Sequence, residues 1–139
     1  MRISLADYLM GRDKLYPQEC TPEVLENAAV IVGKANSLLA VLEAEKVPLE
    51  AHPSGSIVSS GWRPPQINAA TANAAVRSKH MTGEAIDLYD PEGAIDQYLI
   101  DHLDALVPLG LWLEHPSATK NWSHLQITPP PSGKRVFYP

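Results

Sequence analysis

Apolar residues recur at three- and four-residue spacing from Val24 through Ala28, Ile31, Ala35 and Leu38 to Leu42. That spacing marks one buried stripe on a long helix. Thr21-Pro22-Glu23 in front of it reads as cap, first-turn proline and first-turn acid, so the helix starts there. It is expected to run to about Lys46, with Pro48 ending it and Gly33 a tolerated weak point. A short helix from a Ser4 cap to about Met10, stopped by Gly11, should precede it, followed by a loop over 13–20.

Further on, Ile57-Val58 opens a strand that reaches Arg63 and is stopped by Pro64-Pro65. The alanine-rich stretch from Gln66 to about Val76 predicts a close-packing helix. From Glu84 to Tyr89 the residues Ala85, Asp87 and Tyr89 alternate with Ile86 and Leu88, which suits a buried strand with Asp87 on one face. Asp90-Pro91-Glu92 repeats the cap-proline-acid start, and the helix behind it should present Ile95, Leu99, Leu103 and Leu106 on one side. Leu111–Glu114, Trp122–Thr128 and Arg135–Tyr138 are the remaining strands, with a polar loop over 115–121. The order predicts an α+β fold: a small, mostly antiparallel sheet with helices on one face. One domain over 1–139 is expected, with a helical part over 1–47 and a motif-bearing part over 58–127.

Composition narrows the partners. With 45% apolar and 19% charged residues the chain is globular rather than disordered. A net charge of -5 argues against nucleic acid, whose phosphates need a basic face. The single cysteine, Cys20, permits no internal disulfide and reads as a half-buried packing residue. Asp7 interrupts the apolar run at the N-terminus, so no secretory signal is expected, and no stretch is expected to serve as a membrane helix. The expectation is a protein made in a cytoplasm, with no membrane or nucleic-acid partner and acting as a monomer.

Candidate chemistry centres on Ser78-Lys-His80-Met-Thr-Gly83-Glu-Ala85-Ile-Asp87. His80 and Asp87 flank Gly83, where the chain can fold back and bring both side chains to one point. Taken alone, the pair fits a surface histidine and a capped or paired aspartate better than it fits a metal site. His124 alternates with Trp122 and Gln126 on one strand face and would supply a third donor. Two imidazoles and a carboxylate form a common ligand set for a catalytic zinc, with water in the fourth position. Glu84 is nearby, but strand alternation turns it away from Asp87. His52 and His115 read as loop residues, and Trp62, Trp112 and Trp122 as core or pocket-wall aromatics.

Three motifs in order, Ser60-Gly61-Trp62-Arg63-Pro64 with Asn68, then Ser78-x-His80-x-x-Gly83-x-Ala85-x-Asp87, then Trp122-x-His124, resemble the zinc D-Ala-D-Ala carboxypeptidase and L,D-endopeptidase family. That family includes vancomycin-resistance dipeptidases and phage endolysins, and shares its fold with the hedgehog signalling domain. The resemblance implies one zinc ion held by His80, Asp87 and His124, and Arg63 as the group that steadies a substrate carbonyl or carboxylate. It implies the peptide stem of peptidoglycan as substrate, with Ser78 either binding substrate or bracing the loop, and Trp122 as a wall that could touch it. It also implies a small phage or prophage lysis enzyme, released to the cell wall by another protein. In one place the chain departs from the pattern: many members carry an acid three residues before the last histidine, and here Asn121 stands there. An amide cannot take the proton, which leaves Glu114 as the best candidate base and Asp90, whose role as a helix cap already explains it, behind. The alternatives are a zinc-containing, peptidoglycan-binding module without turnover, or a virion component.

Overall fold

Thr21 accepts a hydrogen bond from Val24 N at 3.2 Å and so caps a helix that starts at Pro22. The computed structural model describes residues 1–139. Its helices are α1 (Leu5–Leu9), α2 (Arg12–Leu15), α3 (Pro22–Ala44), α4 (Pro65–Ala70) and α5 (Ala94–Asp101). The strands are β1 (Val58–Ser60), β2 (Ala85–Asp90), β3 (Trp112–Glu114), β4 (Asn121–Gln126) and β5 (Val136–Phe137), in the sheet order β1-β2-β4-β3-β5. All neighbours are antiparallel except β3 and β5, which are parallel. The fold is α+β with a mostly antiparallel sheet, as the pattern predicts.

Every residue of the predicted α3 stripe is buried, and Leu39 joins it. These side chains form one core with Ile86 and Leu88 of β2, Leu113 of β3 and Leu125 of β4. Because side chains alternate along a strand, the residues between them point to the other face of the sheet. Asp87, Glu114, His124 and Gln126 are those residues. Mean hydropathy over α3 reaches 1.4, and its length and composition would suffice for a membrane span, contrary to the expectation that no stretch would. Its apolar stripe is committed to the core.

Several elements differ from the sequence expectation. Residues 12–15 form α2 rather than part of a loop. The alanine-rich helix α4 ends at Ala70 instead of continuing to about Val76. There Thr71 turns extended, and the Asn68 side chain donates to Ala75 O at 2.9 Å, tying the following loop back onto the helix. Asp90 does cap α5, but from outside it: its two oxygens accept from Ile95 N and Asp96 N, both at 3.0 Å, and Gly93 turns the chain at φ 71° before the helix begins. The end of the predicted stripe also departs from the helix. Leu103 sits in a 3-10 turn and is 37% exposed, while Leu106 stays in the core.

The N-terminal segment clamps the strand that leads to Arg63. Trp62 N donates to Tyr8 O at 3.0 Å, Arg12 Nη1 donates to Trp62 O at 2.9 Å, and the buried Tyr8 hydroxyl donates to Ala85 O at 2.7 Å. Gly61 is what permits this approach, since a Cβ there would stand 1.9 Å from Tyr8 O. The Gly61→Ala protein is therefore expected to lose about 2 kcal/mol or more of stability in denaturant unfolding, because backbone rather than a flexible side chain must move.

Candidate metal centre

One row across the sheet carries the site. Ser60 pairs with Asp87, and Asp87 pairs with His124. The β3–β4 register, Trp112 with Gln126 and Leu113 with Leu125, sets Glu114 beside His124 one step on. Glu114 in turn pairs with Phe137 of β5. His80 alone comes from a loop. The Gly61–Arg63 segment holds that loop, since Arg63 N donates to His80 O at 3.0 Å and His80 Nδ1 lies 2.9 Å from Gly61 O. Gly83 turns the chain at φ 79°, with Val24 O only 2.8 Å from where a Cβ would be, so the turn sits tightly on α3.

His80, Asp87 and His124 come together with ligand atoms within 4.8 Å of one another, and they are 2%, 8% and 8% exposed. Asp87 Oδ1 lies 3.2 Å from His80 Nε2 and 2.9 Å from His124 Nδ1. The outward nitrogens are already engaged: His80 Nδ1 meets a carbonyl, and His124 Nε2 meets Gln126 Oε1 at 3.0 Å. A carbonyl only accepts, so His80 carries a proton on Nδ1, and in the neutral ring its Nε2 lone pair faces the carboxylate. A lone pair aimed at a carboxylate inside a buried cluster repels it unless positive charge lies between them. Protons or a metal ion can supply that charge, and the donor set (two imidazoles and one carboxylate) suits a transition metal or zinc. The three residues therefore fit a metal ion.

The titration directions follow from the same geometry. Burial alone would raise the Asp87 carboxyl. Where protons rather than a metal supply the positive charge, the charge on His80 and the hydrogen bonds both imidazolium rings then donate hold it well below the usual carboxylate range. For His124 burial works downward and is outweighed by Asp87, with Glu114 adding to the rise. Glu114 is pushed up, chiefly by burial, against the pull of His124. Its Oε2 lies 4.0 Å from His124 Nε2.

These groups line a cleft of about 340 Å³. Arg63 borders it, donates from Nη2 to Ser78 Oγ at 3.0 Å, and keeps a buried Nε with no partner. Ser78 Oγ also accepts from His80 N at 3.2 Å, so this side chain braces the ligand loop. Trp122 forms part of the wall and is half-buried. Asn121 lies outside the cleft, in a separate hollow with Asp90 and Asp96. His115 stacks on Tyr138, and His52 packs edge-on against Tyr89. Both are away from the cleft. Trp62 is fully buried with Nε1 donating to Met81 O, Trp112 lies under the Arg135 guanidinium, and Cys20 is half-buried against the core.

The cleft also holds residues that sequence reasoning did not single out: Arg77, Lys79, Gln126, Phe137 and Pro139. Strand alternation places Gln126 on the face of His124 without giving it a role. The other four depend on loop shape or on the parallel β3–β5 pairing, which leave no local pattern. Comparison with family models, with curated proteins and with solved structures found no match to this chain.

Without metal, the raised His124 stabilises the fold as an imidazolium against Asp87. That contribution is complete below its ordinary value of 6.5 and is lost as pH rises through the raised one. Metal-free protein is therefore expected to unfold more easily with rising pH above about 6.5, and saturating divalent metal to flatten that dependence. Thermal unfolding checks this in an Asp96→Asn background, because burial pushes the Asp96 carboxyl up to about 7 and it would otherwise titrate in the same window.

Proposed function

We propose that the protein is a zinc-dependent peptidase of peptidoglycan stem peptides. The observation that carries this reading is the convergence, in one cleft, of a buried His80-Asp87-His124 set with Glu114 on one side and Arg63 on the other. The motif resemblance to zinc carboxypeptidases and L,D-endopeptidases supports the same substrate class. Zinc held by His80, Asp87 and His124 would polarise the scissile carbonyl and bring the pKa of a water to about 7.

The chain's own residues supply the rest. Glu114 takes the proton of the attacking water on a carboxylate oxygen and passes it to the leaving amine. Its raised pKa brings it nearer the working pH, which suits a group that must both accept and release a proton. Asn121 lies outside the cleft, which leaves Glu114 as the carboxylate beside His124 for this role. Arg63 borders the cleft with Nη2 on Ser78, and its planar fork suits a carbonyl anion or a terminal carboxylate. Arg77 and Lys79 add two positive side chains to the cleft lining of a chain whose net charge is -5, which favours a peptide bearing carboxylates. Trp122 and Phe137 offer apolar walls for its side chains.

In its biological setting we read the protein as a phage or prophage lysis enzyme that reaches the wall after another protein opens the membrane. A binding module without turnover is the second reading, favoured by Asn121 at the position where the family carries its acid.

Zinc-loaded protein incubated with purified peptidoglycan is expected to release new amino groups, and chelation to stop it. Glu114→Gln should lower kcat about 10²- to 10⁴-fold while zinc stoichiometry stays at one. Stoichiometric zinc with no release from the wild-type protein favours the binding module instead.

A further inference from the structure

Glu84 shares the ligand-bearing stretch with His80 and Asp87, yet it faces away from the cleft and takes no part in the chemistry above. Its carboxylate is nonetheless fully engaged. Oε1 accepts from Thr82 Oγ1 at 2.6 Å, and Oε2 accepts from the hydroxyl of Thr128. The Glu84 carbonyl also accepts from Ile127 N at 3.0 Å. Thr82 belongs to the turn that delivers His80, whereas Thr128 follows the strand that delivers His124. Glu84 therefore ties the segment of one ligand to the segment of another.

The chain of contacts continues inward. Gln126 Nε2 donates to Thr128 O at 2.8 Å, and Gln126 Oε1 lies 3.0 Å from His124 Nε2. Only one amide orientation is open to Gln126, because the Thr128 carbonyl can accept but never donate. With its nitrogen committed to Thr128, the amide must present oxygen to His124. His124 then carries its proton on Nε2 and turns Nδ1 toward Asp87 and the metal position.

We propose that Gln126 and Glu84 are positioning residues for the metal centre. Gln126 fixes the ring and tautomer of His124, and Glu84, through Thr128, fixes the amide of Gln126. This rests on the metal reading of His80, Asp87 and His124. Outer hydrogen-bond partners of a metal-binding imidazole typically contribute 10- to 100-fold to metal affinity, because they pre-set its tautomer and orientation.

The test uses Zn²⁺ and the full chain, with affinity read by competition against a chromophoric chelator and the imidazole nitrogens read by long-range ¹H–¹⁵N spectra. In the wild-type protein His124 should bind zinc through Nδ1 and show a slowly exchanging Nε2 proton. Gln126→Leu should weaken zinc about 10- to 100-fold and lose that protected proton. Glu84→Ala should weaken zinc in the same direction, and Glu84→Gln, which keeps an acceptor for Thr128, should recover most of the loss. Zinc bound to wild-type His124 through Nε2 overturns the proposal, and that result needs no variant to fold. Zinc affinity within about two-fold of wild type in both Gln126→Leu and Glu84→Ala overturns it as well, since the expected loss is at least ten-fold. Wild-type protein that binds no zinc overturns the underlying metal reading instead, and shows itself before any variant is made.

Discussion

A carboxylate buried between two imidazoles is stable only if positive charge is placed among them, and the arrangement around Asp87 depends on that condition. Asp87 is 8% exposed, with an imidazole nitrogen on either side of one oxygen. Both outer nitrogens are occupied by acceptors, so neither ring can escape the repulsion by turning its proton inward while it stays neutral. Burying such a set costs several kcal/mol per ion unless the charges are matched. A bound cation matches them at every pH where the ligands are deprotonated, whereas protons do so only below the raised pKa of His124.

Much of the remaining structure serves to keep that cluster in place. The α3 stripe packs beneath the sheet and fixes the faces of β2 and β4, which sets Asp87 and His124 directly opposite each other. The N-terminal helix closes on Gly61 so tightly that only glycine fits, and the held segment grips His80 through its carbonyl. The last strand adds Phe137 to the row beside Glu114. Asp87, His124 and the candidate base Glu114 sit on three adjacent strands, whereas His80 and Arg63 come from loop segments that hydrogen-bond to each other. Such support favours a preorganised site.

Where chemistry follows a local period, the sequence was legible. The α3 stripe, the Thr21 cap and the alternation that puts Asp87 and His124 on one face all appear in the structure as the pattern predicts. Glu114 was within reach, because two adjacent antiparallel strands joined by a short loop bring their ends together. The early end of α4 was not, since alanine content predicts helix while the Asn68 side chain and the extended Thr71 decide otherwise. Nor was the C-terminal wall of the cleft, which depends on a parallel pairing between distant strands. Gly61 shows a third kind of limit: its place in a motif was plain, but the reason for it is Tyr8, some fifty residues away.

Anomalous diffraction at the zinc edge, from crystals grown with Zn²⁺, tests the central claim most directly. The account predicts a single peak about 2.0–2.2 Å from His80 Nε2, Asp87 Oδ1 and His124 Nδ1, with an open fourth position facing Glu114. No peak at that position, or a peak whose fourth ligand is Glu114 itself in a closed site, would contradict it.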